Sequence, residues 1–296
     1  MSLDIVVVGR QGQVARALAQ ALPAAGHRLL VLGRPEMDLA RPESIAAAFA
    51  ALPCRPHLVV NAAAHTAVDR AEDEPDLAFA LNRDAPGLLA AAADRLGAGF
   101  LHFSTDYVFD GTLGRPYRED DATRPLGVYG ASKLAGEAAV LAANPRSLIL
   151  RTAWVCAAEG GNFLNTMLRL AGRAELGVVA DQLGAPSFAA DLAAAVVRLA
   201  PFLAAAPAGA PGLGVFHLTG APHTSWHGFA SAIFARLAAQ GRPVPLLRAI
   251  TTAEYPTRAR RPADGRLDCS RIAAQHGIVA PDWRLALDAC LNRPVG

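Results

Sequence analysis

Ile5-Val6-Val7-Val8-Gly9-Arg10-Gln11-Gly12-Gln13-Val14-Ala15 decides the fold class of this chain. Ile5 to Val8 is a β-branched run that reads as a buried strand, and residues 14–22 are rich in Ala and Leu and read as a helix. Glycines stand at 9 and 12 between them, in a GxxGxxA spacing. Glycines let the backbone approach a pyrophosphate, and a helix N-terminus offers free N–H groups and a partial positive charge. Glycines are common in strand-to-helix turns, but this turn follows the first strand, where dinucleotide-binding folds place it.

Working outward, strands are expected at 28–32, 57–60, 99–103 and 147–151, alternating with helices at 42–52, 77–96 and 128–143. That alternation predicts an α/β protein with a Rossmann-type doubly wound parallel sheet. After Val155 the regularity breaks. A strand is expected at 176–180, a helix at 192–203, a Pro/Gly/Ala loop at 204–214, a strand at 214–218 and a helix at 225–240. A Pro- and Arg-rich stretch at 256–266 precedes a last short helix near 283–291. The expected division is an NAD(P)-binding domain of residues 1–155 plus 187–221, with a smaller discontinuous C-terminal substrate domain of 156–186 plus 222–296.

Composition excludes several classes of function. A net charge of +2 is too balanced to argue for nucleic acid or an anionic membrane as partner. No apolar run is long enough to span a bilayer, and the first residues read as a strand rather than a signal peptide. Cys54, Cys156, Cys269 and Cys290 lie far apart with no CxxC, which fits reduced thiols used for packing in a cytoplasmic protein. The histidines form no HxxH or HExxH, so no metal is expected, and His223 and His227 read as satisfied or surface groups. No GxSxG nucleophile elbow is present. Glu119-Asp120-Asp121 reads as a solvated loop.

Two further features carry chemistry. At the end of the second strand stands Gly33-Arg34, where an acid would take the ribose hydroxyls of NAD. An arginine there suits a 2′-phosphate and favours NADPH over NADH, while Asp38 and Leu39 can line the adenine pocket. The other is Tyr129-Gly130-Ala131-Ser132-Lys133, in which tyrosine and lysine share a helix face one turn apart. A phenol of pKa ~10 is a poor acid–base group at neutral pH, and a neighbouring ammonium favours its phenolate. Lys133 is the one lysine of the chain. Ser104-Thr105 ends the fourth strand and offers a hydroxyl to a substrate carbonyl beside the tyrosine.

Longer stretches carry a resemblance. Residues 9–15, 60–69 (VNAAAHTAVD), 104–109 (STDYVF), 128–137 (VYGASKLAGE), 151–155 (RTAWV), 181–186 (DQLGAP), Asn162-Phe163, Arg261-Pro262 and Arg266-Leu267-Asp268 span the chain from end to end. With them the chain resembles the extended short-chain dehydrogenase/reductases, and within these the dTDP-4-dehydrorhamnose reductases. The resemblance implies hydride transfer from NADPH or NADH to C4 of a dTDP-4-keto-deoxysugar. It implies Tyr129 as proton donor, Lys133 as its partner and ribose ligand, and Thr105 as the group that orients the carbonyl. Gly9, Gly12, Gln13 and Val14 would hold the pyrophosphate. Ala63, Ala64, His65 and Thr66 would flank the cofactor, with Phe103 where the family more usually has tyrosine. Asp106, Tyr107 and Trp154 would contact the deoxysugar. Some members form a magnesium-bridged dimer through glutamates, but the matching positions here are Ala17 and Ala190, so a monomer or weak homodimer is expected. Two other readings share these motifs: a reductase for another dTDP-4-keto-deoxysugar, and a non-catalytic NADP-binding regulatory subunit.

Overall fold

A computed structural model describes residues 2–292; Met1 and 293–296, with which the two expected domains begin and end, lie outside the described residues. Strand β1 (Asp4–Val8) leads through the glycine turn to α1 (Gln13–Ala24), β2 (Arg28–Leu32), α2 (Pro42–Ala50) and β3 (Leu58–Asn61). There follow α3 (Val68–Ala71), α4 (Pro75–Phe79), a π-helical turn at Ala80–Asp84, α5 (Ala85–Arg95), β4 (Gly99–Thr105), α6 (Val128–Ala143) and β5 (Ser147–Thr152). Beyond these lie β6 (Val155–Cys156), α7 (Phe163–Leu170), β7 (Glu175–Val179), β8 (Leu183–Gly184), β9 (Ser187–Phe188) and α8 (Ala189–Ala205). The chain closes with β10 (Gly214–His217), β11 (Thr224–Ser225), α9 (Trp226–Ala239), β12 (Leu246–Ile250), α10 (Ser270–His276) and α11 (Trp283–Leu291).

Six strands form one parallel sheet in the order β10-β5-β4-β3-β1-β2. The expected Rossmann-type α/β fold is what the structure has. Every residue of β1, β3, β4 and β5 is buried, because helices cover both faces of the sheet. Leu18 and Leu22 of α1 pack with Leu192, Val196 and Leu199 of α8 on one face. Ile45 and Phe49 of α2, Leu89 of α5 and Val140 of α6 cover the other. The strand order reverses between β1 and β3, and the carboxyl ends of those two strands open the crevice where such sheets take ligands. A separate apolar cluster forms around Phe229, Ile233 and Leu237 of α9, Met167 of α7, Val178 of β7 and Leu287 of α11.

Three features depart from the sequence expectations. The single helix expected at 77–96 is broken by the π turn at Ala80–Asp84. Its extra residue turns Asn82 inward, where the amide accepts from His65 N (2.8 Å) and donates to His65 O and Ser132 Oγ. Strand β12 and helices α7 and α10 are absent from the sequence expectation. Residues 246–250 carry no apolar/polar alternation and pair with β7 at the surface, while α10 buries only Ile272. The acidic loop is also not merely solvated. Glu119 accepts from His217 N at 3.0 Å and closes the sheet edge at β10, and Asp121 chelates the Arg115 guanidinium.

Among the described residues no helix is long and apolar enough to cross a membrane. Helix α6 lies so close to the π turn that a Cβ on Gly136 would stand 1.9 Å from Asn82 O, whereas one on Gly172 would meet nothing within 4 Å. Gly136→Ala should therefore destabilise the protein by roughly 1–3 kcal/mol in urea unfolding, as overpacking does. Gly172→Ala should stay within about 0.5 kcal/mol of wild type, as surface changes do. Equal effects would show that α6 relaxes away without cost.

Candidate active site

The glycine turn is shaped for a close approach. Gly9 has φ +119°, which favours glycine, and a Cβ there would stand 3.3 Å from the carbonyl carbon of Ala62. Gly12 is the N-cap of α1, and no side chain caps the helix, so its first N–H groups face the crevice. Ala63 N donates to Asn61 Oδ1 and His65 N to Asn82, which fixes the 62–66 segment alongside. His65 is buried with its Nδ1 unpartnered, whereas Thr66 is exposed. Val14 packs on the core, and Gln13 ties α1 to the segment beyond β5, donating to Val155 O and accepting from Asn162 Nδ2 at 2.7 Å. An uncapped helix behind a glycine turn that a Cβ would crowd is the observation that fits a dinucleotide pyrophosphate.

At the β2 end, Arg34 is exposed and forms no ion pair among the described residues. Arg10, not singled out by the sequence reading, lies over Gly33 and bridges to Glu36 at 2.6 Å and to Val31 O. Asp38 caps its own turn by accepting from Ala40 N, and Leu39 packs against the sheet core.

The second cluster forms where β4 meets α6. Thr105 Oγ1 accepts from Tyr107 N and donates to Asp106 Oδ1, and it stands beside the Tyr129 phenol. Tyr107 meets Tyr129 edge-on at 5.5 Å. Burial pushes the Tyr129 phenol up to about 12, and the Thr105 hydrogen bond pulls it part of the way back. Burial likewise pushes the Asp106 carboxyl up to about 7 against its hydrogen bonds from Thr105 and nearby backbone N–H groups, and drives the Tyr107 phenol well up. Below them, Arg151 grips Glu137 with two bonds of 2.9 and 2.7 Å, Ser104 donates to the same carboxylate, and the guanidinium lies over the Phe109 ring. Val128 N donates to Glu72 Oε1 at 2.8 Å, so a carboxylate sits at the N-terminus of α6.

Lys133 is on the expected face of α6 but not against Tyr129. Its Nζ donates to Phe103 O at 2.6 Å and lies 3.1 Å from His102 Nε2. The lowering of the tyrosine by the lysine, expected from their spacing, is therefore absent from this arrangement. Burial instead lowers Lys133 itself to about 8.

Trp154 holds a φ of 46°, rare for a bulky residue, and its indole stacks on Trp226 at 3.6 Å and fills the space over Gly184. Phe163, Met167, Val178, Trp226, Tyr255 and Arg261 line a cavity of about 280 Å³ beside it. Arg261 is held by Asp69 at 2.8 Å, and Gly265 packs its backbone against Asp106. The structure thus brings Thr105, Asp106, Tyr107 and Tyr129 together, while Trp154 is not among them and stacks on Trp226 of the cavity lining. Among the described residues no group of His, Cys, Asp or Glu is placed to hold a metal ion.

The family profile described as RmlD substrate binding domain matches residues 3–295. The chain is 47% identical to the dTDP-4-dehydrorhamnose reductase of Burkholderia thailandensis, over 98% of each chain. The chain belongs to the dTDP-4-dehydrorhamnose reductase family. The Escherichia coli K12 member is 40% identical, over 98% of this chain and 97% of its own. Among solved members, the Clostridium acetobutylicum dTDP-4-dehydrorhamnose reductase superposes with a TM-score of 0.88 at 34% identity, covering 98% of this chain and 99% of its own. The Bacillus anthracis enzyme, solved in complex with NADP, gives 0.88 at 30% identity with the same coverage.

Around this cluster, Asn61, His102, Glu137, Arg151 and Asn82 form buried hydrogen bonds, and no role was read for them from the sequence. All but His102 and Asn82 lie inside the motif stretches quoted above. His102 immediately precedes Phe103 and the STDYVF stretch, but nothing in a strand of apolar neighbours marks one histidine as a support. Asn82 lay inside an unremarkable helical pattern, and only the π turn reveals it.

Asp106 has a consequence for stability. Its folded-state value of about 7 lies above the ~3.9 of an unfolded chain. Across that window the folded state keeps a proton that the unfolded state releases, so this contribution is complete below about pH 4 and is lost as pH rises through about 7. Wild type should therefore lose unfolding free energy relative to Asp106→Asn as pH is raised from 4 to 8. Parallel urea-unfolding curves for the two proteins across that range would remove the argument.

Proposed function

We propose that this chain is a cytoplasmic NAD(P)H-dependent reductase of the C4 keto group of dTDP-4-dehydro-6-deoxy-L-mannose, giving dTDP-L-rhamnose. The observation that carries the reading is the placing of Tyr129 beside Thr105, at the carboxyl end of β4 in a parallel sheet whose first strand ends in a glycine turn, in a chain of this family. When bound, the nicotinamide supplies the hydride that C4 receives.

The protein's part is to bind, orient and hold protons. Gly9, Gly12, Gln13 and Val14 hold the pyrophosphate, Ala63, Ala64, His65, Thr66 and Phe103 flank the nicotinamide half, and Asp38 and Leu39 border the adenine. Tyr129 keeps its proton at neutral pH, as an acid must if it is to deliver that proton to the C4 oxygen. Thr105 places the carbonyl oxygen at the phenol. Asp106, Tyr107 and Trp154 hold the deoxysugar, and the aromatic cavity with Arg261 suits the base and diphosphate of a nucleotide sugar. Residues 156–186 and 222–296 form the substrate-binding part in this reading, and 1–155 with 187–221 the cofactor-binding part. The protein acts as a monomer or weak homodimer, since Ala17 and Ala190 offer no carboxylates for a bridging metal.

Tyr129→Phe should lower the rate of NADPH oxidation with this substrate by at least about 10²-fold, the scale of a lost general acid. A variant within a few-fold of wild type would remove Tyr129 from the acid's role. The unpaired Arg34 is assigned to the cofactor 2′-phosphate. Arg34→Ala should raise KM for NADPH by about 10-fold or more, as loss of a hydrogen bond to a charged group does, and leave KM for NADH unchanged. Equal changes for both cofactors would shift that assignment to Arg10.

A further inference from the structure

Three buried side chains form a line beneath the site. Ala63 N donates to Asn61 Oδ1 at 3.1 Å, Asn61 Nδ2 lies 3.0 Å from His102 Nδ1, and His102 Nε2 lies 3.1 Å from Lys133 Nζ. Asn61, His102 and Lys133 are each at most 2% exposed, so their donors and acceptors must satisfy one another.

The direction of the chain follows from its first bond. A backbone N–H can only donate, so it fixes the Asn61 oxygen toward Ala63 and the Asn61 amide N–H toward His102. His102 Nδ1 must then be the acceptor. Burial, helped by the Lys133 charge, holds His102 well below the ordinary histidine range, so the ring is neutral and carries one N–H. That N–H is on Nε2 and points at Lys133. An ammonium has no lone pair to receive it, whereas an amine does, and an amine still donates to Phe103 O. The opposite order, an ammonium donating to Nε2, puts the Nδ1 proton against the Asn61 amide protons.

We propose that Asn61 and His102 are positioning residues for the reduction, holding Lys133 in place and setting its charge by presenting an N–H to Nζ that only the amine form can accept. The inference rests on the reductase reading for its consequence, but the chain itself can be tested without turnover. The other titratable or charged groups around Lys133 are Tyr129 and Glu137 on its own helix. Glu137, gripped by Arg151 of β5 and hydrogen-bonded by Ser104 of β4, raises Lys133 part of the way back, but burial outweighs it. The ammonium form of Lys133 thus gives way to the amine at a lower pH than in free lysine, and that limit is set from β3 and β4.

Lys133 is the one lysine in the chain, so protein labelled with carbon-13 at lysine Cε gives a single resonance whose pH titration reads this residue alone. Wild type should titrate near 8, against the ~10.4 of free lysine. Asn61→Asp keeps the acceptor for Ala63 but also accepts from Nδ1, which reverses the chain and offers Nε2 to an ammonium. Its lysine midpoint should rise by about one pH unit or more, and His102→Gln, whose amide can turn its oxygen to Nζ, should move it the same way. The alkaline limb of kcat/KM should rise with the midpoint in each variant. A wild-type midpoint at the free-lysine value, or midpoints in both variants unchanged from wild type, would overturn the proposal. If the lysine shifts as expected while no variant, wild type included, turns over the keto sugar, the chain stands and the reductase reading fails.

Discussion

Helix α6 is pressed against its neighbours as closely as glycine allows, and the arrangement of the site follows from that contact. A Cβ on Gly127 would stand 2.4 Å from Glu72 Oε1, one on Gly130 2.1 Å from Tyr107 O, and one on Gly136 1.9 Å from Asn82 O. Each glycine meets a different segment, so the helix is located at three points along its length. Between them Tyr129, Lys133 and Glu137 recur every four residues and form one face. That face lies against β4: Tyr129 meets Thr105, Lys133 meets Phe103 and His102, and Glu137 meets Ser104. A helix displaced outward by one methyl layer would lose these partners together.

The electrostatics of this face run toward neutrality. Tyr129 and Asp106 are pushed up, and Lys133, His102 and His217 are pushed down, with burial the largest cause in every case. At depth Glu137 and Arg151 are joined in a two-pronged ion pair. Such a pair stabilises less than its Coulomb attraction implies, because both partners are desolvated, but it is strongly destabilising to break on one side only. It joins α6 to β5 and, through Ser104, to the residue before Thr105. The neutral bias has a chemical direction: the phenol and carboxyl groups of the site retain protons that they would more readily share with water elsewhere. A site poised to give up a proton to a developing alkoxide needs that bias.

Much of this was legible in the sequence because backbone periodicity and glycine spacing are local signals. The strands at 4–8 and 28–32, the helix at 128–143 and the glycine turn have neighbours in sequence that are also their neighbours in space. The Tyr129–Lys133 spacing placed both residues on one face correctly. It could not show where each side chain ends, because Lys133 finds Phe103 O and His102, and Tyr129 finds Thr105, on a strand some 25–30 residues earlier. The π turn escaped for a related reason. Its composition is ordinary, and the inward turn of Asn82 is driven by the polar groups of His65 and Ser132 that it satisfies. Strand β12 escaped because its pairing with β7 leaves much of it exposed, so no hydrophobic alternation is demanded of it.

The other wall of the site is built from still more distant parts. Arg261 reaches Asp69, Gly265 packs on Asp106, and Trp154 lies on Trp226, pairs that bring the later part of the chain against the sheet. Trp154 holds a backbone conformation that costs on the order of 1–3 kcal/mol for a non-glycine residue. Its stacking on Trp226 and its seat on Gly184 offset that cost, and both partners lie beyond the sheet strand that carries Trp154 into place. The strained residue is therefore stable only once the later segment has docked. The acid end of the site, by contrast, is complete within β4 and α6. The two halves have unequal dependence on long-range contacts, so loosening the later segment would release Trp154 and the aromatic cavity while Tyr129 and Thr105 kept their geometry.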